Sequence, residues 1–142
     1  QETRRQWPAA VDVYRTLGGF FSDNIEYGLK LAAAQVSAGQ GKDALVTIEG
    51  LRRLPAPQST DPRIDLVEAQ AASALGDFPR ELAAAERGAT RAAAGGLTQM
   101  LARARLAQGR GHYSQGRFKD ALTALEEARR AFAASGDRAG LA

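Results

Sequence analysis

A glycine-centred turn recurs along this chain at a nearly fixed interval, and that recurrence limits the fold more than any other feature. The segment Ala38-Gly39-Gln40-Gly41-Lys42-Asp43-Ala44-Leu45 aligns with Leu75-Gly76-Asp77-Phe78-Pro79-Arg80-Glu81-Leu82 and with Gln115-Gly116-Arg117-Phe118-Lys119-Asp120-Ala121-Leu122. Gly39, Gly76 and Gly116 are therefore 37 and 40 residues apart. A period in this range marks stacked supersecondary units rather than a single closed core. Each glycine lies between two stretches of helical periodicity, so the unit is an antiparallel helical hairpin. Such a hairpin cannot bury its apolar face alone and must stack on its neighbours.

Seven helical stretches are predicted, giving an all-α chain. The first covers residues 7–17, with Pro8 in its first turn, Val11, Tyr14 and Leu17 as its apolar stripe, and Gly18-Gly19 as its stop. The second follows Ser22-Asp23-Asn24, where Asp23 and Glu26 have capping-box spacing, and ends at Gly39. The third spans 42–54, with Leu45, Ile48 and Leu51 on one face, and is ended by Pro55 and Pro57. A short polar linker leads to Asp61-Pro62, an N-cap followed by proline at the first helical position. The remaining helices are expected over 62–75, 79–95, 97–115 and 118–135. The hairpins are then 24–54, 62–95 and 97–135 within a single unit, 1–142. Residues 7–17 would be the trailing helix of a preceding repeat and 136–142 the start of an unfinished one, as in a piece of a longer array.

Composition narrows the chemistry. With 142 residues one domain is expected, and this length buries enough surface to be stable without disulfides. The chain has no cysteine and one histidine, His112. A zinc finger, a cysteine nucleophile and a histidine-based acid–base pair cannot be assembled from that set. No apolar run reaches the roughly 18–20 residues of a membrane helix, so no membrane insertion is expected.

The repeating residues resemble the tetratricopeptide repeat family. The third unit carries the resemblance through Gly109, Gly116-Arg117-Phe118, Ala121, Leu122, Leu125 and Ala128. The first does so through Leu31, Ala32, Gly39, Ala44, Ile48 and Leu51. The middle unit departs from the pattern, with Glu81 and Gly88 where alanine is usual. Ala10, Tyr14 and Leu17 fit the second half of a preceding unit. The long period and the closing segment Ala134 to Leu141 are similar to arrays in bacterial multidomain regulators, such as transcriptional activators and Ser/Thr kinases. The resemblance implies a right-handed α-solenoid, without catalytic residues, cofactor or metal, that acts by binding a protein or peptide. It also implies a cytoplasmic setting, with an extracytoplasmic portion of a membrane-anchored regulator as the alternative.

In that family the first helix of each hairpin lines a concave groove. The corresponding positions are Glu26, Leu29, Ala33, Val36 and Ser37, then Arg63, Leu66, Gln70, Ser73 and Ala74, then Arg103, Leu106, Arg110, Tyr113 and Ser114. Three arginines and an aromatic ring among small residues suit an acidic extended peptide, because the planar guanidinium grips carboxylates bidentately. The same residues also fit a solvated helical surface, on which most charges face water. The family's C-terminal-carboxylate clamp needs an asparagine four residues after the basic one, and Arg63 is followed by Val67 and Arg103 by Ala107.

Other features have plainer explanations. The net charge of +3 is spread among acids such as Glu126-Glu127 rather than gathered into a basic stripe with stacking aromatics, which speaks against nucleic acid. His112 reads as a packing residue, and Asp61 as a cap rather than a metal ligand shared with Asp65. Trp7 and Phe20-Phe21 at one end, and Leu125 or Phe132 at the other, could form apolar patches that pair two chains into a homodimer through the solenoid ends.

Overall fold

The structure, a computed structural model, describes residues 2–20 and 24–138. Those residues form seven α-helices and no strand: α1 Glu2–Phe20, α2 Ile25–Ser37, α3 Gly41–Arg52, α4 Pro62–Ala74, α5 Phe78–Ala94, α6 Thr98–Ser114 and α7 Phe118–Arg138. A 3-10 turn, Gln58–Thr60, lies between α3 and α4.

The helix ends follow from local chemistry. Gly39, Gly76, Gly96 and Gly116 adopt φ of +78°, +73°, +67° and +76°, a region in which residues with a Cβ are strained. Each glycine lets the next N–H turn back five residues: Gln40 to the Gln35 carbonyl at 2.7 Å, Asp77 to Ala72 at 2.9 Å, Leu97 to Ala92 at 2.8 Å and Arg117 to His112 at 2.8 Å. These reverse bonds close the last turn and satisfy carbonyls that a helix end leaves open. Helix starts are capped by side chains. The Arg63 N–H donates to Asp61 Oδ1 at 2.9 Å, and the Arg80 N–H to Asp77 at 3.2 Å. At α2 the cap is Asn24, whose side chain accepts from the Glu26 N–H at 2.9 Å. The expected Asp23 cap, like Phe21 and the final residues 139–142, lies outside the described residues.

Helix α3 ends two residues before the expected 54, and the larger differences from expectation are at α1 and α7. Helix α1 runs through Gly18-Gly19 and holds Pro8 inside it, well beyond the predicted 7–17. A glycine in a helix costs only about 1 kcal/mol against alanine, so it permits a stop without imposing one. Helix α7 likewise continues through Gly136 to Arg138.

Each helix packs on the next, and α2 also meets α4, as α4 meets α6. Connections of three residues between packed partners, as at Gln115–Arg117, force antiparallel neighbours. One core joins α2, α3 and α4 through Leu29, Ala32, Ala44, Ile48, Leu51 and Ile64. A second is almost all alanine, with Ala69, Ala84, Ala85 and Ala107 bringing α4, α5 and α6 close together. In the middle unit, a Cβ on Gly88 would stand 3.2 Å from the Cβ of Asp65. Gly88 is thus the room that Asp65 occupies rather than a lost packing position.

Candidate functional site

Helices α2, α4 and α6 surround a cleft of about 460 Å³. Its walls repeat at the 37- and 40-residue spacings of the turns. Glu26, Arg63 and Arg103 form one row across the three helices; Leu29, Leu66 and Leu106 form the next. Lys30, Val67 and Ala107 form a third row, and Ala33, Gln70 and Arg110 a fourth. Within each helix the four residues stand at i, i+3, i+4 and i+7, the spacing that holds side chains on one face. A ladder of three leucines therefore runs across the cleft between rows that carry charge.

The charges are not equivalent. Arg63 Nη1 donates to Glu26 Oε1 at 2.8 Å, while its Nη2 and Nε donate to Asp61 Oδ2 at 2.9 Å and Asp61 Oδ1 at 3.1 Å. This set ties the start of α4 to the start of α2. The hydrogen bonds from Asp61 raise the Arg63 guanidinium further above its ordinary value, with Glu26 adding to the effect against the cost of burial. Burial alone would push the Asp61 carboxyl up, but hydrogen bonds from the Arg63 guanidinium and backbone N–H hold it below the ordinary carboxylate range. Arg103, Arg110 and Lys30, by contrast, have no side-chain acceptor among the described residues. Arg105, which does not line the cleft, is turned toward α7 and pairs with Glu127 at 2.9 Å.

Of the groove residues expected from sequence, the cleft gathers Glu26, Leu29, Ala33, Arg63, Leu66, Gln70, Arg103, Leu106 and Arg110. It does not gather Val36, Ser73 or Tyr113. Val36 is partly buried against the α2–α3–α4 core, and Ser73 is exposed near the end of α4. Tyr113 stands edge-on to Phe118, with ring centroids 5.3 Å apart, at the α6–α7 turn. Lys30, Val67 and Ala107 were missed, although each lies four residues after a first-row residue, a spacing visible in the sequence.

His112 is half-buried, and its Nδ1 has no hydrogen-bond partner. Among the described residues no group of three or more His, Cys, Asp or Glu side chains could hold a metal ion, and no helix is long and apolar enough to cross a membrane. No protein-family model matches the chain, and no curated protein matches it in sequence.

Proposed function

We propose that the chain is a right-handed, tetratricopeptide-like α-solenoid whose first-helix cleft binds an extended acidic segment of another protein. On this reading it is a non-catalytic interaction module of a larger bacterial signalling or transcription-regulatory protein. The observation that carries the proposal is the leucine ladder bordered by Arg103 and Arg110, two cations with no acceptor of their own among the described residues. A desolvated carboxylate gains most from such unpaired guanidinium groups, and the leucines supply apolar contact. Arg103 and Arg110 are two helical turns apart, roughly 10 Å along the axis. An extended peptide in the polyproline II form covers that distance in about three residues, and its threefold period puts side chains i and i+3 on the same side. The fitting segment therefore carries acids at i and i+3 with an apolar residue between them.

Fluorescence anisotropy with labelled decapeptides tests this. A peptide with Glu at i and i+3 flanking a leucine is expected to bind at least about tenfold tighter than one with adjacent glutamates. The Arg103→Glu, Arg110→Glu double variant should lose that binding while keeping its helical circular dichroism. Unchanged binding by the variant would move the site off the cleft.

A second reading, self-association, rests on α7. Phe118, Leu122, Leu125 and Phe132 fall at heptad-compatible steps and are 62%, 65%, 39% and 41% exposed. Sedimentation equilibrium of the parent against the Leu122→Glu, Phe132→Glu variant separates the readings. A parent dimer that the variant dissolves would favour assembly through α7, and a monomer at all concentrations would remove it.

A further inference from the structure

On the face of α4 opposite the cleft, half a turn from Leu66 and Val67 at 3.6 residues per turn, Asp65 and Glu68 are buried under arginines from two other helices. Arg52 Nη2, from α3, donates to Asp65 Oδ1 at 2.9 Å and Glu68 Oε1 at 3.1 Å. From α5, Arg91 Nη1 donates to Asp65 Oδ2 at 2.9 Å. Arg87 Nε reaches Asp65 Oδ1 at 3.3 Å, and its Nη2 bonds Glu68. Arg80 Nη2 lies 3.7 Å from Glu68 and 3.5 Å from Glu49 at the outer rim. Burial alone would lower the Arg52 guanidinium, but the Asp65 hydrogen bond and the Glu68 and Asp65 charges raise it above its ordinary value.

Neutralising two buried carboxylates takes two cations, and four meet here, with Glu49 as the further acid in the wall of the pocket they share. One positive charge is in excess. Each guanidinium also keeps at least one nitrogen that meets no acceptor among the described residues: Nη1 of Arg52, Arg80 and Arg87, and Nη2 of Arg91. The four groups, with Glu49 and Glu68, wall a solvent-open pocket of about 440 Å³. Asp65 and Glu68 already hold Arg52, Arg87 and Arg91, and Glu49 holds Arg80 at the rim, so a ligand would not have to gather four long side chains itself.

We propose that Arg52, Arg80, Arg87 and Arg91 form a binding site for a phosphomonoester, distinct from the cleft. A terminal phosphate offers three acceptor oxygens and up to two negative charges, which match donors converging from several directions. A carboxylate has only two oxygens in one plane and would leave part of the donor set unused. No aromatic side chain lines the pocket, so a stacked base has no platform there. Two carboxylates, Glu49 and Glu68, share the pocket wall and oppose the anion; Glu68 is held by Arg52 and Arg87, and Glu49 is screened by Arg80.

The site is tested by isothermal titration calorimetry at constant ionic strength with three probes: inorganic phosphate, a phosphoserine tetrapeptide and its unphosphorylated form. The expected result is saturable 1:1 binding of a phosphorylated probe and none of the unphosphorylated peptide. A phosphopeptide at least about tenfold tighter than inorganic phosphate would identify a modified protein as the source, and equal affinities would identify free phosphate. Arg80→Gln is expected to weaken binding about tenfold, the effect of removing one charged hydrogen bond. Asp65 keeps Arg52, Arg87 and Arg91 in that variant, and its thermal midpoint checks the fold. Glu49→Gln is expected to tighten binding severalfold, and Arg103→Glu with Arg110→Glu to leave it unchanged. Failure of both phosphorylated probes to saturate, full affinity in folded Arg80→Gln, or loss in the cleft variant would each overturn the proposal.

Discussion

Asp61 and Asp65 stand four residues apart on one helix and do different work. Asp61 caps α4 and holds Arg63, at the partly exposed rim of the cleft. Asp65 is fully buried and takes guanidinium groups from α3 and α5. Asp61→Ala is expected to cost about 1 kcal/mol at neutral pH, as for other lost N-caps. Asp65→Ala should cost more, about 1.5–3 kcal/mol, because it removes charged hydrogen bonds to three partly exposed guanidinium groups, two of which keep Glu68. The pH dependence of Asp61 has a definite sign. Its folded carboxyl ionises below the unfolded one, so its stabilisation is complete above about pH 4 and disappears as pH falls through the lowered folded value. Urea unfolding of parent and Asp61→Ala at pH 7 and at about pH 2.5 should therefore show a difference that shrinks in acid.

At the scale of the helix, space decides what each glycine does. Gly50, exposed in the interior of α3, has nothing within 4 Å of where a Cβ would stand. Gly50→Ala should stabilise the chain by about 0.5–1 kcal/mol through reduced backbone freedom in the unfolded state. On α2, a Cβ on Gly28 would collide with Cδ2 of the buried Leu51. Gly28→Ala should therefore be net destabilising, since overpacking a filled contact costs about 1–3 kcal/mol. Denaturant midpoints for the two variants, moving in opposite directions, would check both. The helices were legible in sequence where a glycine was joined to an apolar stripe on each side, as at Gly39, Gly76 and Gly116. Gly18-Gly19 does not end α1, because glycine lowers the cost of stopping without enforcing a stop. What ends these helices is the left-handed turn together with the reverse bond from the following N–H, and that pairing depends on where the next helix docks.

Across the whole molecule, the rows of the cleft were legible because they reuse the repeat spacing, and residues equivalent in sequence come together when first helices pack side by side. The pairing of Arg63 with Glu26 follows that same 37-residue spacing, and Asp61 stands two residues before it, so its neutralisation was within reach of the sequence. The arginine cluster was not legible, because its pairs span 12 to 31 residues without a common spacing and join three helices. Gly88 looked like a defect in the repeat until Asp65 was placed against it. That cluster has a consequence for how such a chain can be rearranged by recombination. The Pro55–Thr60 connection looks like the natural border between two interchangeable bricks, yet Arg52 lies on one side of it and both carboxylates on the other. A crossover there would hand the recipient two buried acids and leave one of their cations behind, so the hairpin that begins at α4 is inherited intact only when α3 travels with it.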